Sequence, residues 1–351
     1  MRKATGKPRR SRRTAASGDR RRNIKEVALE AGVSVATVSR TLAMPEVVAP
    51  ETRRRVQDAI RHLGYSLNVQ ARSLRTSRSH VIVALVPDIS NPFFGEIIRG
   101  IEQVAHQNRY SVLLGDTQYN REREQAYADM VGTRQADGLI TMLPHIPKVT
   151  GMEHLPIVNA CEYVRDRSIT SVYVDNSAAA CGAVEYLLTL GHGQIAFISG
   201  PMKSPISIDR DRGYELALSR RGIKRHPRLS VEGNFSVESG IRGMESLFSS
   251  GQDFTAVFCS NDEMAFGAIR AIKARGLRVP QDISVVGFDD LRLSRYFDPP
   301  LTTVAQPMGE IGREAMTMLM EILRDVSVPP RKRILPTQLV VRESTGPRKA
   351  G

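Results

Sequence analysis

The first patterned stretch of the chain opens at Asn23, after which Ile24, Val27, Ala28 and Ala31 recur at i, i+3, i+4 and i+7. That spacing puts them on one face of a helix, and Asn23 followed by Glu26 predicts an N-cap with its capping-box partner. Gly32 ends the helix, since a residue free to take positive φ can reverse the chain, and Ser34 caps a second helix over Val35 to Leu42. Val38 and Leu42 turn inward there, which leaves Val35, Ala36, Thr37 and Arg40 outward. A third helix starts at Pro50, buries Val56, Ile60 and Leu63 and stops at Gly64, with Arg53, Arg54, Arg55 and Arg61 outside. Two helices joined by a short glycine-containing turn describe a helix-turn-helix, although a generic helical bundle with solvated arginines satisfies the same pattern. Asn68 to Leu74 then offers only about two turns of helix, with Val69 and Leu74 on its apolar face between Arg72 and Arg75. A helix that short persists in water only against a docking surface.

Beyond His80 the period changes to strands alternating with helices. Val81 to Val86 is a continuous apolar run suited to a buried parallel strand, followed by a helix around Glu96 to Gln107, then Ser111 to Leu114, another helix, and Gly138 to Met142. A second series has strands at Ser171 to Val174, Gln194 to Ser199, Ala256 to Cys259 and Ile283 to Gly287. This alternation predicts two doubly wound α/β lobes, and ligands of such lobes bind at the carboxyl ends of strands or in the cleft between them.

Charge separates the two patterns. The chain carries 50 Lys and Arg against 37 Asp and Glu, a formal charge of +13. Its first 80 residues hold 19 basic and 6 acidic side chains, a difference equal to the whole surplus, so a basic module precedes a neutral one. Ten of those basic residues lie between Arg2 and Arg22 with a single acid, which predicts a disordered leader that either touches polyanions or aids solubility. No apolar run approaches a membrane span, and the basic start lacks the apolar stretch of a signal peptide, so a cytoplasmic protein without membrane contact is expected. Cys161, Cys181 and Cys259 are odd in number and far apart, and read as core residues without a disulfide or metal.

Asn-Ile-Lys-Glu-Val-Ala from Asn23, Ala-Gly-Val-Ser-Val-Ala-Thr-Val-Ser-Arg from Ala31 and Ala-Arg-Ser-Leu from Ala71 resemble the DNA-binding headpiece and hinge helix of the LacI/GalR repressor family. The resemblance runs through the rest of the chain and leaves out only the leader. It implies an N-terminal all-α helix-turn-helix headpiece with a hinge helix, then a two-lobed α/β core like that of periplasmic binding proteins. The corresponding division is leader 1–22, headpiece 23–66, hinge helix and linker 67–79 and core 80–346, with one lobe at about 80–175 and 307–335 and the other at about 176–306 and 336–346. The implied partners are double-stranded operator DNA, a second copy of the chain and a small-molecule effector, with no cofactor. In this family the second helix lies in the major groove, so Val35, Ala36 and Arg40 are expected to read base edges, Arg40 being suited to a bidentate guanine contact. Ser34, Thr37, Ser39 and Asn68 are expected on phosphates, Leu74 as a minor-groove wedge and Ala71 as the close contact between paired hinge helices.

The loop Asp88-Ile-Ser-Asn-Pro-Phe-Phe94 sets polar groups beside two aromatic faces, a pairing that suits a carbohydrate or nucleoside, though two phenylalanines alone also make core plugs. The resemblance extends this loop to a ligand set at the positions where ribose-binding members carry theirs: Asn91, Phe93, Phe94, Arg210, Phe235, Asn261, Asp289 and Gln306. Two positions depart. Cys161-Glu162 stands where ribose binders have an Asp-Arg pair, and Ser204 stands where purine-base binders have an arginine. These departures argue against a free purine base and weaken the case for ribose itself, and the resemblance implies a ribonucleoside, pentose or related sugar as effector.

Enzymatic readings are weaker. Gly191-His-Gly193-Gln-Ile-Ala196 fits a dinucleotide fingerprint but precedes its strand instead of following one. Asp289-Asp290 offers adjacent carboxylates that point apart as sequence neighbours, and no Walker loop, nucleophile elbow or metal-spaced histidine pair occurs. A transport-type sugar-binding protein shares the core but needs an export signal and no headpiece. The expectation is a transcriptional regulator, a repressor, that is not an enzyme.

Overall fold

A computed structural model describes residues 23–65, 78–149, 156–162, 166 and 168–348. The chain forms two compact units, Met1–Thr76 and Ser77–Gly351. Among its described residues the first has three α-helices, α1 (Ile24–Glu30), α2 (Val35–Ala43) and α3 (Pro50–Leu63). The Asn23 side chain accepts from the backbone N–H groups of Lys25 and Glu26, while the Glu26 carboxylate accepts from the Asn23 amide at 3.5 Å. Gly32 has φ +59° and Gly64 φ +61°, the left-handed values that end α1 and α3. Val27, Val38 and Val56 are fully buried and meet Ala28, Ala31 and Ala59 in a core of small side chains.

Arg55 corrects the expectation of a free arginine row on α3. Its guanidinium donates to the carbonyls of Ala31 at 2.6 Å and Gly32 at 3.2 Å, pinning α3 to the turn between the first two helices. Those carbonyls sit at a helix end where no intrahelical donor reaches them, so a charged donor is the physical reason for the placement. Arg61 is committed as well, to Asp58 one turn earlier on the same helix.

The second unit holds two six-stranded sheets. In chain order its elements are β1 (Val81–Val86), α4 (Pro92–Gln107), β2 (Ser111–Asp116), α5 (Arg121–Gly132), β3 (Gly138–Thr141), β4 (Ile157–Ala160) and β5 (Thr170–Val174). They continue as α6 (Asn176–Thr189), β6 (Ile195–Ser199), α7 (Pro205–Arg220), β7 (Ser230–Glu232), α8 (Val237–Ser249), β8 (Ala256–Cys259), α9 (Asp262–Ala274) and β9 (Ser284–Asp289). Last come β10 (Thr302–Ala305), α10 (Met308–Arg324), β11 (Lys332–Leu335) and β12 (Gln338–Val340).

One sheet runs β11-β5-β4-β3-β1-β2 and the other β12-β10-β9-β8-β6-β7. All pairings are parallel except β10 with β12. The chain passes between the sheets three times, after β5, after β10 and after β11, so neither lobe is a continuous segment. Near-continuous Val, Ile, Leu and Phe strands follow from having helices on both faces of a parallel sheet. In the first lobe α4 and α10 cross closely enough that a Cβ on Gly312 would stand 2.0 Å from the Ile97 carbonyl oxygen, and only glycine fits there. Cys161, Cys181 and Cys259 are all buried and free. Among the described residues no helix is long and apolar enough to cross a membrane.

Candidate functional site

Parallel strands end along one edge of each sheet, and the loops leaving those edges converge on a cavity of about 620 Å³ within the second unit. All eight residues of the expected ligand set line it: Asn91, Phe93, Phe94, Arg210, Phe235, Asn261, Asp289 and Gln306. Asn91 is held by its own helix, since its side chain caps α4 by accepting from the Phe93 N–H at 2.9 Å. Phe94 is 8% exposed and belongs to the core of the first lobe, whereas Phe93 is half-buried and packs against the cores of both. Phe235 has φ +69°, and Gly200 makes room for its ring, because a Cβ there would lie 2.2 Å from the Phe235 Cζ.

The second lobe supplies a buried polar network. Arg210, on α7, donates from Nε to the Asn176 side-chain oxygen at 2.9 Å and from a terminal nitrogen to the Ser260 carbonyl, and lies 4.0 Å from the Asp289 carboxylate. Its guanidinium also stacks 3.7 Å above the Phe288 ring. Gln306 donates to Asp289 at 2.7 Å, and Asn261 donates to the Phe235 carbonyl at 2.9 Å while capping α9. Asp289 and Asp290 both have positive φ, at 120° and 59°, which turns the chain sharply at the end of β9. Behind them Asp262 is fully buried and accepts from the Leu291 N–H, the Ser294 hydroxyl and the Thr303 hydroxyl. Burial pushes the Asp289 carboxyl above the ordinary carboxylate range, with Arg210 and Gln306 pulling it back. Asp290 points elsewhere, to Arg342 at 2.6 Å.

The first lobe contributes residues that sequence reasoning did not select. Glu124, 3% exposed, accepts from His145 Nε2 at 2.7 Å and faces Arg121 at 3.5 Å, and all three line the cavity. Tyr119 and Glu162 complete that side. Tyr119, His145 and Glu162 lie in the loops past the carboxyl ends of β2, β3 and β4, and Arg121 and Glu124 in the first turn of α5, so the strand-end rule applied to every strand would have pointed to this side of the cavity.

On the headpiece, the Ser34 hydroxyl accepts from the Thr37 N–H at 3.1 Å and lies 2.9 Å from the Thr37 hydroxyl, so Ser34 caps α2. Ala36 and Arg40 are exposed, Val35 is 40% exposed, and Thr37 and Ser39 are half-buried. Val35, Ala36 and Arg40 thus present side chains to solvent along one short helix. Asn68, Ala71, Leu74 and the basic leader lie outside the described residues.

Residues 23–68 match the family described as bacterial regulatory proteins, lacI family, and residues 184–345 match a periplasmic binding protein-like domain. The chain is 41% identical over 326 residues to the HTH-type transcriptional repressor CytR of Escherichia coli (strain K12), covering 92% of this chain and 96% of that protein. Its fold superposes on the lac repressor dimer bound to operator and the anti-inducer ONPF with a TM-score of 0.82 at 29% identity, over 92% of this chain and 99% of that one. A LacI family transcriptional regulator from Enterococcus faecium with bound ribose gives a TM-score of 0.68 at 28% identity, over 77% of this chain and all of that one.

Proposed function

Because the chain belongs to the LacI family, as a DNA-binding transcriptional repressor with an effector-binding core, we propose that its cavity binds a ribonucleoside or a pentose whose occupancy sets operator affinity. The observation that carries this reading is the convergence of Arg210, Asn261, Asp289 and Gln306, all under 10% exposed, on the same cavity as Phe93, Phe94 and Phe235. Fixed hydrogen-bonding groups suit sugar hydroxyls, and aromatic faces suit the apolar face of the ring. The ribose held by the E. faecium relative supports the same chemistry.

The protein acts as a homodimer in the cytoplasm and holds its ligand without transforming it. Val35, Ala36 and Arg40 read base edges in the major groove, Ser34, Thr37, Ser39 and Asn68 engage phosphates, and Leu74 and Ala71 serve the paired hinge helices in the minor groove. Closure of the lobes on a ligand changes how the paired headpieces meet the operator, and the coupling is reciprocal, so DNA and effector alter each other's affinity by the same factor. Fluorescence anisotropy of labelled operator, titrated with the full-length protein in the presence of a panel of ribonucleosides and pentoses, tests the ligand assignment. At least one compound is expected to shift operator affinity by about fivefold or more. No shift across the panel would remove the ligand assignment and leave the family assignment standing.

A further inference from the structure

The folded headpiece is a poor source of charge for a DNA-binding module. Between Asn23 and Tyr65 there are six basic and five acidic side chains. Two of the six are already engaged, Arg55 by the Ala31 and Gly32 carbonyls and Arg61 by Asp58. Lys25, Arg40, Arg53 and Arg54 are left, and they share the headpiece with Glu46 and Glu51, which have no cationic partner among the described residues. A DNA duplex presents about one negative charge per 1.7 Å of its axis, and each phosphate that a protein neutralises releases a counterion and strengthens binding. The charge suited to that contribution sits elsewhere in the chain. Between Arg2 and Arg22 there are ten basic residues, eight of them arginine, and a single acid, Asp19.

We propose that residues 2–22 are a second DNA-binding element, which sets its cations on the phosphates of duplex flanking the headpiece and supplies most of the sequence-independent affinity. The composition of the segment names the partner. A lipid surface needs an apolar face, and residues 1–22 contain no Val, Leu, Ile, Phe, Tyr or Trp. A single-stranded nucleic acid is gripped by stacking on aromatic rings, and the leader has none. Solubility alone is served better by carboxylates than by cations, whereas the guanidinium fork matches phosphate oxygens. Double-stranded DNA, already the partner of the adjoining helices, meets each of these conditions.

The placement of the cations along the chain fits the role. Arg20, Arg21 and Arg22 adjoin Asn23, whose side chain caps α1. The other cluster is Arg9-Arg10-Ser11-Arg12-Arg13. From Arg13 to Asn23 the chain can span at most about 35 Å, which is about one turn of duplex. One cluster thus adds phosphate contacts beside α1, and the other has the reach to add them up to about one turn further along the DNA. Neither reads sequence, since phosphates are the same at every base pair. Affinity and specificity are divided between the leader and the exposed face of α2.

Fluorescence anisotropy with a labelled duplex of arbitrary sequence, several helical turns long, tests the assignment on the full-length protein over a series of salt concentrations. With all ten basic residues between Arg2 and Arg22 changed to Gln, the slope of log affinity against log salt should become shallower by at least about 4 per dimer, and affinity at about 0.1 M salt should fall by at least about tenfold. Deletion of residues 2–22 should do the same. Changing the eight arginines to Lys keeps the charge and should leave the slope within about one unit of the wild type. Thermal midpoints are expected to agree among the four proteins, which excludes unfolding as the source of a lost slope. An unchanged slope in the Gln and deletion variants would overturn the assignment, even with their solubility lowered, because the leader would then serve solubility alone. A loss in the Lys variant as large as in the Gln variant would overturn it too, since charge would not be what binds. Leader-dependent binding to a single-stranded RNA of the same length that is tighter than binding to the duplex would assign the leader to RNA and remove it from DNA.

Discussion

In the headpiece a core of valines and alanines, with Ile24, Leu42, Ile60 and Leu63 packed against it, holds three helices together, and Ala36 and Arg40 face water. In the cavity the groups proposed to hold the ligand, Arg210, Asn261, Asp289 and Gln306, are buried and spend much of their hydrogen-bonding capacity on one another and on the backbone. The difference follows from the partner. A DNA groove comes to the protein with its own hydration and must meet side chains that stand free, whereas a small ligand is enclosed by groups that have to be held in place before it arrives. On the proposed reading, function and stability are separable at Ala36 and Arg40 and fused in the cavity.

The sharpest way to break that contrast is Arg210→Ala. Removing the guanidinium leaves Asp289 buried beside no cation and strips the Asn176 and Ser260 oxygens of their donor. The expected result is a loss of about 3–5 kcal/mol of core stability in urea unfolding, together with loss of the effector response. A variant that lost only the response would show that the network is not structural.

Arg40→Ala is the counterpart in the headpiece. Arg40 is exposed and has no ion-pair partner among the described residues, so about 1–3 kcal/mol of operator discrimination should disappear. Thermal unfolding and effector affinity should stay unchanged. A lowered melting temperature would erase the separation between the two regions. The smallest effect is expected from Arg55→Ala, which frees the Ala31 and Gly32 carbonyls and should cost the headpiece about 1 kcal/mol, seen as faster amide exchange in α1 and α2 with the core unaffected. That variant sharpens the comparison, because Arg55 is a headpiece arginine that serves the fold.

Much of this architecture is legible in local patterns. The helix ends at Gly32 and Gly64 and the caps at Asn23 and Ser34 depend on residues a few positions apart, and each appears in the structure where spacing places it. Strand β1 and its neighbours are readable for the same reason, as uninterrupted apolar runs. Arg55 was not readable as a staple, since its acceptors lie 24 and 23 positions away and nothing in the third helix distinguishes it from Arg54. The pair Glu124 and His145, 21 residues apart, was missed on the same grounds.

Sequence alone determined that a basic helix-turn-helix precedes a neutral two-lobed α/β core whose strands alternate with helices. Those properties are local, set by side-chain period, by glycine at reversals and by the count of charges. Tertiary structure alone decided which polar groups spend their bonds on one another and which keep one to spare. Arg210 is occupied by Asn176, Ser260 and Asp289, while Glu162 keeps a buried oxygen with no partner among the described residues. Partner choice of that kind depends on distances across two sheets whose strands alternate along the chain, and spacing in sequence carries no record of it.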